Sequence, residues 1–187
     1  MKAMSNKKTH GSTESAAPDS AVLSGLLSAI ADLLHTYLVI TEAQCVVMAL
    51  WVVHTHCIEA FDRTPYLHIS SAEKRSGKTL LLEVLALLVH KPWLTSNAST
   101  AALVRKIGTS KPTVLIDEAD TFVQGTSERA ELLRGILNAG YARGGTYSRV
   151  STSGNVVDIK VFGPKAFAGL QSQPDTVAAS PCSIDCR

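Results

Sequence analysis

The sequence predicts an α/β fold, in which helices cover both faces of a parallel sheet. Three observations predict this class. Short apolar runs alternate with segments of helical periodicity between residues 66 and 139, which is typical of parallel strands joined by right-handed crossovers. A glycine–lysine turn follows the first of these strands, and two acidic residues follow the third. Such sheets bind ligands at the carboxyl ends of their strands.

The N-terminal third divides into a leader and a helical segment. Residues 1–20 are predicted to be a disordered leader, because they are rich in Ser, Thr, Ala and Lys and lack apolar periodicity. Residues 21–63 are predicted to form helices packed on the core. The first, Val22–Leu38, has apolar residues at helical spacing. The second begins with the capping box Thr41-x-x-Gln44, and its body, Cys45–Ile58, is apolar nearly all round, which predicts burial.

The core is predicted to span residues 64–173. Strands are assigned to short apolar runs bounded by turn residues, and helices to segments with apolar residues at helical spacing. In chain order the predicted elements are a strand at Tyr66–Ser70, a helix at Thr79–Val89, a strand at Trp93–Thr95, a helix at Ser99–Ile107 with Ser99 as its N-cap, a strand at Thr113–Ile116 and a helix at Ser127–Ala139. Two more strands are expected at Gly145–Ser151 and Val156–Phe162, with the last one extending toward Leu170.

Composition narrows the class of protein. The 187 residues suit one domain, and 45% are apolar, as in ordinary globular proteins. The net charge of +2 is too small to indicate nucleic-acid binding by itself. The longest uncharged stretch, between Glu42 and Glu59, is shorter than the roughly 20 residues that span a bilayer, so we expect no membrane segment. The four scattered cysteines form no disulfide framework and predict a reducing, cytoplasmic compartment.

A phosphate-binding loop is predicted between the first core strand and its helix. Residues 72–79 fit G-x-x-x-x-G-K-(S/T) except at the first position, which is alanine. Backbone N–H groups of such a turn converge on phosphates, and the helix N-terminus adds positive potential. The residues expected to contact ATP are Ala72, Glu73, Lys74, Arg75, Ser76, Gly77, Lys78, Thr79 and Leu80. The alternative is a surface turn that happens to contain a lysine.

Each residue of this loop has an expected role. Gly77 lets the backbone approach the ligand closely, and Lys78 reaches the β- and γ-phosphates as a point charge. The Thr79 hydroxyl is expected to ligate Mg²⁺. Asp117 and Glu118 end the apolar strand Thr113–Ile116. Asp117 is expected to hold Mg²⁺ through water, and Glu118 to activate the attacking water. The alternative is that these acids only begin a turn.

Six sequence blocks, in this order, resemble the AAA-like ATPase domain of bacterial phage-, prophage- and plasmid-borne replication proteins. The blocks are His54–His56, Ala60–Asp62, Ser76–Leu85, Leu115–Asp120, Leu137–Tyr141 and Phe162–Leu170. The resemblance covers about residues 22–177. It implies a three-layer α/β/α P-loop NTPase fold, ATP and Mg²⁺ as cofactors, Lys78 and Glu118 as catalytic residues, and single-stranded DNA as a partner.

The end of the chain departs from that family. Its members continue into another strand and a basic helical region, whereas residues 174–187 are predicted to be an aberrant or disordered tail. We therefore expect the fifth strand, the helical lid and the arginine that acts on a neighbour's γ-phosphate to be absent. A homo-oligomer or a longer homologous chain would then complete the site. Gln171 is the candidate sensor of the γ-phosphate.

Other functions and residues stay open at this stage. The chain is either an ATPase, a nucleotide-binding remnant without turnover, or a P-loop small-molecule kinase. Arg143 and Arg149 either contact phosphate or DNA or are solvated turn residues. Arg105, Lys106 and Lys111 either line a DNA channel or form a basic helix end. His54 and His56 are two residues apart and so point in different directions on a helix, which argues against a zinc pair.

Overall fold

A five-stranded parallel sheet forms the centre of the protein. The computed structural model describes residues 20–71, 76–119, 128–151, 154–170 and 182–185. The strands of this sheet are β1 (Leu67–Ser71), β2 (Pro92–Thr95), β3 (Thr113–Ile116), β6 (Lys165–Leu170) and β7 (Cys182–Asp185). They lie in the order β2-β3-β6-β1-β7, and every neighbouring pair is parallel. The remaining strands, β4 (Thr146–Val150) and β5 (Val156–Lys160), form a separate antiparallel hairpin.

Helices cover both faces of the sheet. On one face lie α1 (Ser20–Tyr37), α2 (Glu42–His56) and α3 (Lys78–Leu88), and on the other lie α4 (Thr100–Ser110) and α5 (Glu128–Gly140). A short 3-10 helix, Ile58–Ala60, follows α2. Two apolar cores result, the first between the sheet and α1, α2 and α3, and the second between the sheet and α4 and α5. Alternate residues of β3 point into them: Leu115 packs in the first core, and Val114 and Ile116 pack in the second. The predicted α/β class, with helices on a parallel sheet, is confirmed.

N-cap side chains mark the starts of α2 and α4. Thr41 caps α2 through the predicted box, in which Thr41 Oγ1 accepts from the Gln44 N–H at 3.3 Å and Gln44 Oε1 accepts from the Thr41 N–H at 2.9 Å. Ser99 caps α4 as predicted. The prediction that α2 is buried is confirmed for the side that carries Met48, Trp51 and Val52, but not for the opposite side. Val46 and Leu50 are half exposed, because α2 packs on α1 and the core with one side only.

Among the described residues, α1 is the one helix long and apolar enough to cross a bilayer. This is weak evidence, because core helices of globular proteins and signal sequences have the same properties. The expectation of no membrane segment was based on the uncharged stretch between Glu42 and Glu59, and it stays a prediction.

The last predicted strand does not run on to Leu170. β5 ends at Lys160, and β6 begins at Lys165 in the other sheet. The buried Lys165 ammonium holds the connection by donating to the carbonyl oxygens of Val161 and Gly163, both at 2.9 Å. Burial lowers the pKa of Lys165 to about 7. A Cβ on Gly140 would lie 2.6 Å from the Val161 carbonyl oxygen and 2.5 Å from this nitrogen, so the close backbone approach requires glycine there.

The expectation that the fifth strand is absent was wrong. β7 adds to the free side of β1 as a parallel strand, with Leu67 opposite Cys182 and Ile69 opposite Ile184. The predicted tail at residues 174–187 therefore contains a strand, while residues 171–181 lie outside the described part of the chain. The physical reason is apolar burial, because Ile184 packs in the core with α1, α2 and α3.

Replacing Ile184 tests whether this strand belongs to the fold. We expect Ile184→Ala to lower the free energy of unfolding by about 2–4 kcal/mol, since it removes a fully buried side chain. Val157→Ala, on the exposed hairpin, should cost much less and is the control. Chemical denaturation of both variants measures the difference. Equal small losses would mean that β7 is not docked on β1.

Candidate functional site

Two chain segments leave the carboxyl edge of the sheet toward opposite faces. The chain after β1 enters α3 in the first core, and the chain after β3 leads to α5 in the second. β6 lies between these two strands. Sheets of this class bind ligands in the crevice where connections diverge in this way. The predicted contacts Ala72, Glu73, Lys74 and Arg75 and the sensor candidate Gln171 lie outside the described residues.

Gly77 starts helix α3 in a left-handed conformation. Its φ is 83° and its ψ 7°, and its carbonyl oxygen accepts the Leu81 N–H at 2.9 Å. A residue with a Cβ would lose roughly 1–2 kcal/mol there. Nothing lies within 4 Å of the position that a Cβ would take, so the backbone and not crowding demands glycine. The first backbone N–H groups of any helix lack a carbonyl partner one turn earlier. Those of α3 lie at the carboxyl edge of the sheet.

Lys78 places its ammonium beside the end of β1. Its Nζ donates to the Ser71 hydroxyl and, at 3.2 Å, to the Ser76 hydroxyl. Ser71 is fully buried at the last position of β1, so it anchors the ammonium next to the strand end. Both acceptors are neutral, and a phosphate oxygen would be a stronger, charge-assisted acceptor. No sequence pattern assigns a role to Ser71, because its contact depends on the Lys78 rotamer.

Thr79 and Asp117 meet across the carboxyl edge. Thr79 Oγ1 donates to Asp117 Oδ2 at 2.7 Å, although the two residues are 38 positions apart. The other carboxylate oxygen, Oδ1, accepts the Glu118 N–H at 2.9 Å. Both oxygens of Asp117 are therefore oriented. A hydroxyl and a carboxylate are the oxygen ligands that Mg²⁺ takes beside nucleotide phosphates, so this pair fits the predicted metal role.

Glu118 is held in a strained conformation between two clamped neighbours. Its φ is 55°, which is uncommon for a residue other than glycine, asparagine or aspartate. The Asp117 N–H donates to the Thr95 carbonyl at 3.0 Å, and the Ala119 N–H donates to the Ala168 carbonyl at 2.7 Å. These bonds fix the chain to β2 on one side and to β6 on the other. Strain of this kind clusters at functional sites, where the surroundings over-determine it.

No cluster of three or more His, Cys, Asp or Glu side chains suited to a metal occurs among the described residues. A magnesium ion that shares its ligands with phosphates and water needs no such cage. His54 and His56 diverge as expected, since His54 Nε2 contacts Thr64 Oγ1 at 2.9 Å and His56 Nε2 contacts the Leu88 carbonyl at 2.8 Å. Burial lowers the pKa of His54.

A cleft adjoins residues of the predicted phosphate-binding loop. It has a volume of about 220 Å³ and lies between the α1–α2 connection, Tyr37–Ile40, and the start of α3, where Gly77 and Leu80 line it. Leu80 was predicted as a ligand contact, but the connection was not. No local pattern marks Tyr37–Ile40, because its position beside Gly77 arises from the packing of α1 on α3.

No family model matches the chain, and no curated protein is significantly similar to it.

Replacing Glu118 with glycine tests the strain at this site. We expect Glu118→Gly to raise the free energy of unfolding by about 1 kcal/mol, because glycine adopts a φ of 55° without a Cβ penalty. Glu118→Gln keeps the Cβ and should unfold like the wild type. Denaturant titrations of the three proteins give the comparison. A glycine variant less stable than the wild type would show that the Glu118 side chain stabilises the loop more than its backbone strains it.

Proposed function

We propose that the protein binds ATP with Mg²⁺ at the carboxyl edge of its sheet and hydrolyses it. The observation that carries this proposal is the 2.7 Å contact between Thr79 Oγ1 and Asp117 Oδ2, beside the Lys78 ammonium at the head of α3. Two motifs that were inferred separately from the sequence supply these groups. A nucleotide site requires the lysine-bearing turn and the acidic strand end to lie side by side. A surface turn that contains a lysine by chance would not be expected to lie there.

Each group has a definite task in this proposal. The N–H groups at the start of α3 and the Lys78 ammonium bind the β- and γ-phosphates. Thr79 and Asp117 hold Mg²⁺, which when bound neutralises charge on the phosphate oxygens. Glu118 accepts a proton from the attacking water as a general base. Its exposed position at the sheet edge leaves room for a water molecule.

The cleft beside Gly77 suits the base of the nucleotide. It adjoins the phosphate-loop residues, and most of the residues that line it are apolar or aromatic. Val39 is 98% exposed there, so a base lying against it would shield apolar surface from water. Helices α1 and α2 would then serve the site as well as the core.

The resemblance to AAA-like replication ATPases extends this proposal to DNA. We propose that ATP turnover drives remodelling or unwinding of DNA, with single-stranded DNA as a partner and a neighbouring subunit as the source of an arginine for the γ-phosphate. The alternative of a nucleotide-binding remnant without turnover rests on the expected absence of the helical lid and of this arginine. No observation favours a small-molecule kinase.

Two variants separate binding from turnover. Calorimetry should show that Lys78→Ala weakens Mg²⁺-ATP binding by about 10- to 100-fold, since a charge-assisted hydrogen bond is lost. Glu118→Gln should keep the affinity but release phosphate about 10²- to 10⁴-fold more slowly, since it removes the general base.

The outcomes distinguish the candidate functions. A folded wild-type protein that binds no Mg²⁺-ATP contradicts the proposal. Binding without phosphate release, even with single-stranded DNA or a longer homologous chain added, supports the remnant. Phosphate release with no acceptor present excludes a kinase as the sole activity.

A charge in the cleft tests where the base lies. Val39→Asp should weaken ATP binding by about tenfold, because the base would desolvate the new carboxylate. Val46→Asp is the matched control, since Val46 is 54% exposed and lies on α2 outside the cleft. Nucleotide titrations of both variants, with inorganic triphosphate as a ligand that lacks a base, report the effect. An equal loss of triphosphate binding would mean that Val39→Asp acts on the phosphates and not on the base.

A further inference from the structure

A second cavity lies at the opposite edge of the sheet. Its volume is about 490 Å³, within the roughly 300–1,000 Å³ range of ligand pockets. Lys91, immediately before β2, and Pro164, immediately before β6, both line it, so it sits where the strands begin. Each strand has four to six residues and rises about 3.3 Å per residue, so the amino and carboxyl ends of the strands lie about 10 Å or more apart. The cavity is therefore separate from the phosphate-loop site at the strand ends.

Four cationic side chains converge on this cavity from separate segments. Lys91 precedes β2, Lys111 precedes β3, Arg143 follows α5 and Lys160 ends β5. Within the described ranges, none of the three lysines forms an ion pair. Like charges around a half-enclosed cavity repel one another, and a bound anion relieves this repulsion.

Arg143 has a structural role in the cavity wall. It donates to the carbonyl oxygens of Glu59 at 2.6 Å and Phe61 at 2.9 Å, and it pairs with the carboxylates of Glu59 and Asp62. The Arg143 side chain is still 40% exposed, and the predicted contact with phosphate or DNA stays a prediction. Among the described residues that line the cavity, Glu59 is the only one with a carboxylate, and Arg143 forms an ion pair with it. The three lysines thus supply the excess positive charge.

Two of these lysines occupy strained backbone positions. Lys91 and Lys111 both have a φ of 46°, in the left-handed region that lysine rarely adopts. Backbone bonds impose the turns, since the Thr113 N–H donates to the Lys91 carbonyl at 3.0 Å and the Lys111 N–H to the Ile107 carbonyl at 3.1 Å. Glycine would fit these turns without strain, so conformation alone does not account for a lysine at both places.

The wall also carries rings. Phe162 lies under the Arg143 guanidinium, whose carbon is 5.4 Å from the ring centroid, and the imidazoles of His56 and His90 meet edge to face at 5.6 Å. Cations beside flat apolar or aromatic surfaces are the features that bind a nucleotide, whose phosphate is anionic and whose base stacks.

We propose that this cavity, at the amino edge of the sheet, is a second site that binds nucleotide phosphate, either as a free nucleotide or within a single strand of nucleic acid. Lys91, Lys111 and Lys160 contact the phosphate, and the rings contact the base. The site does not depend on the nucleotide bound at the carboxyl edge.

Two probes test the site in buffer with EDTA, which removes Mg²⁺. Fluorescence anisotropy measures binding of a labelled oligothymidylate of about ten nucleotides, and calorimetry measures thymidine monophosphate. The double variant Lys91→Gln/Lys111→Gln should weaken both by at least about tenfold. The salt dependence of oligothymidylate binding should also fall by about 1.4 in slope, or about 0.7 for each lost phosphate contact. A strand that binds far more tightly than the mononucleotide identifies the nucleic acid as the source, and similar affinities identify the free nucleotide.

Three controls keep the test decisive. Arg63→Gln/Arg134→Gln removes the same charge from positions that do not line the cavity and should leave affinity and salt slope nearly unchanged. Lys78→Ala should bind both probes like the wild type. The Lys91→Gln/Lys111→Gln variant should be at least as stable as the wild type at low salt, because repulsion is relieved. The proposal is overturned if the wild type binds neither probe, if the lysine variant binds normally, or if Lys78→Ala abolishes binding.

Discussion

The hydrogen bond between Thr79 and Asp117 is the contact on which the candidate site depends. It joins the first turn of α3 to the end of β3 across the strand that lies between β1 and β3. The contact can form only if β6 separates these strands in the observed register. β6 pairs Ala166 with both Leu67 and Leu115 and so aligns the two strand ends. Slippage by one residue would also move Ala166 and Phe167 to the opposite cores.

Backbone strain marks both edges of the sheet, with a different chemical consequence at each. At the carboxyl edge, the left-handed residues are Gly77 and Glu118, which place an ammonium-bearing helix turn and a carboxylate side by side. At the amino edge they are Lys91 and Lys111, which bring positive charge to one cavity. Hydrogen bonds to neighbouring strands hold the backbone at Lys91 and on both sides of Glu118, and the Lys111 N–H donates to the Ile107 carbonyl at the end of α4. The parallel sheet thus supplies the rigidity that keeps these positions strained.

Local chemistry explains which features the sequence could predict. The caps Thr41 and Ser99 act within one turn, and the strand Thr113–Ile116 is an apolar run between a proline and two acids, so each was found at the predicted place. β7 was missed because its pairing with β1 joins residues more than 110 positions apart and its four residues carry no strong pattern of their own. The break at Gly163 was missed because it depends on the buried Lys165 ammonium.

In the candidate site too, the residues marked by a local motif could be predicted, and the features made by distant segments could not. Spacing identified Lys78, Thr79, Asp117 and Glu118, and the structure brings Thr79 and Asp117 into contact. The cleft at Tyr37–Ile40 and the cavity lined by Lys91, Lys111 and Lys160 are formed by segments that are distant in the chain, so no local pattern predicts them. The strain at Glu118 likewise depends on Thr95 and Ala168, which belong to neighbouring strands.

A double-mutant cycle on ATP affinity, run with and without Mg²⁺, tests the central claim most directly. If Thr79 and Asp117 hold one magnesium ion together, Thr79→Val and Asp117→Asn will each remove most of the gain in affinity that Mg²⁺ provides, and the double variant will lose little more. Without Mg²⁺ the four proteins should bind ATP similarly. Additive losses, or losses of equal size with and without Mg²⁺, would contradict a shared metal site and leave the 2.7 Å contact as a structural bond only.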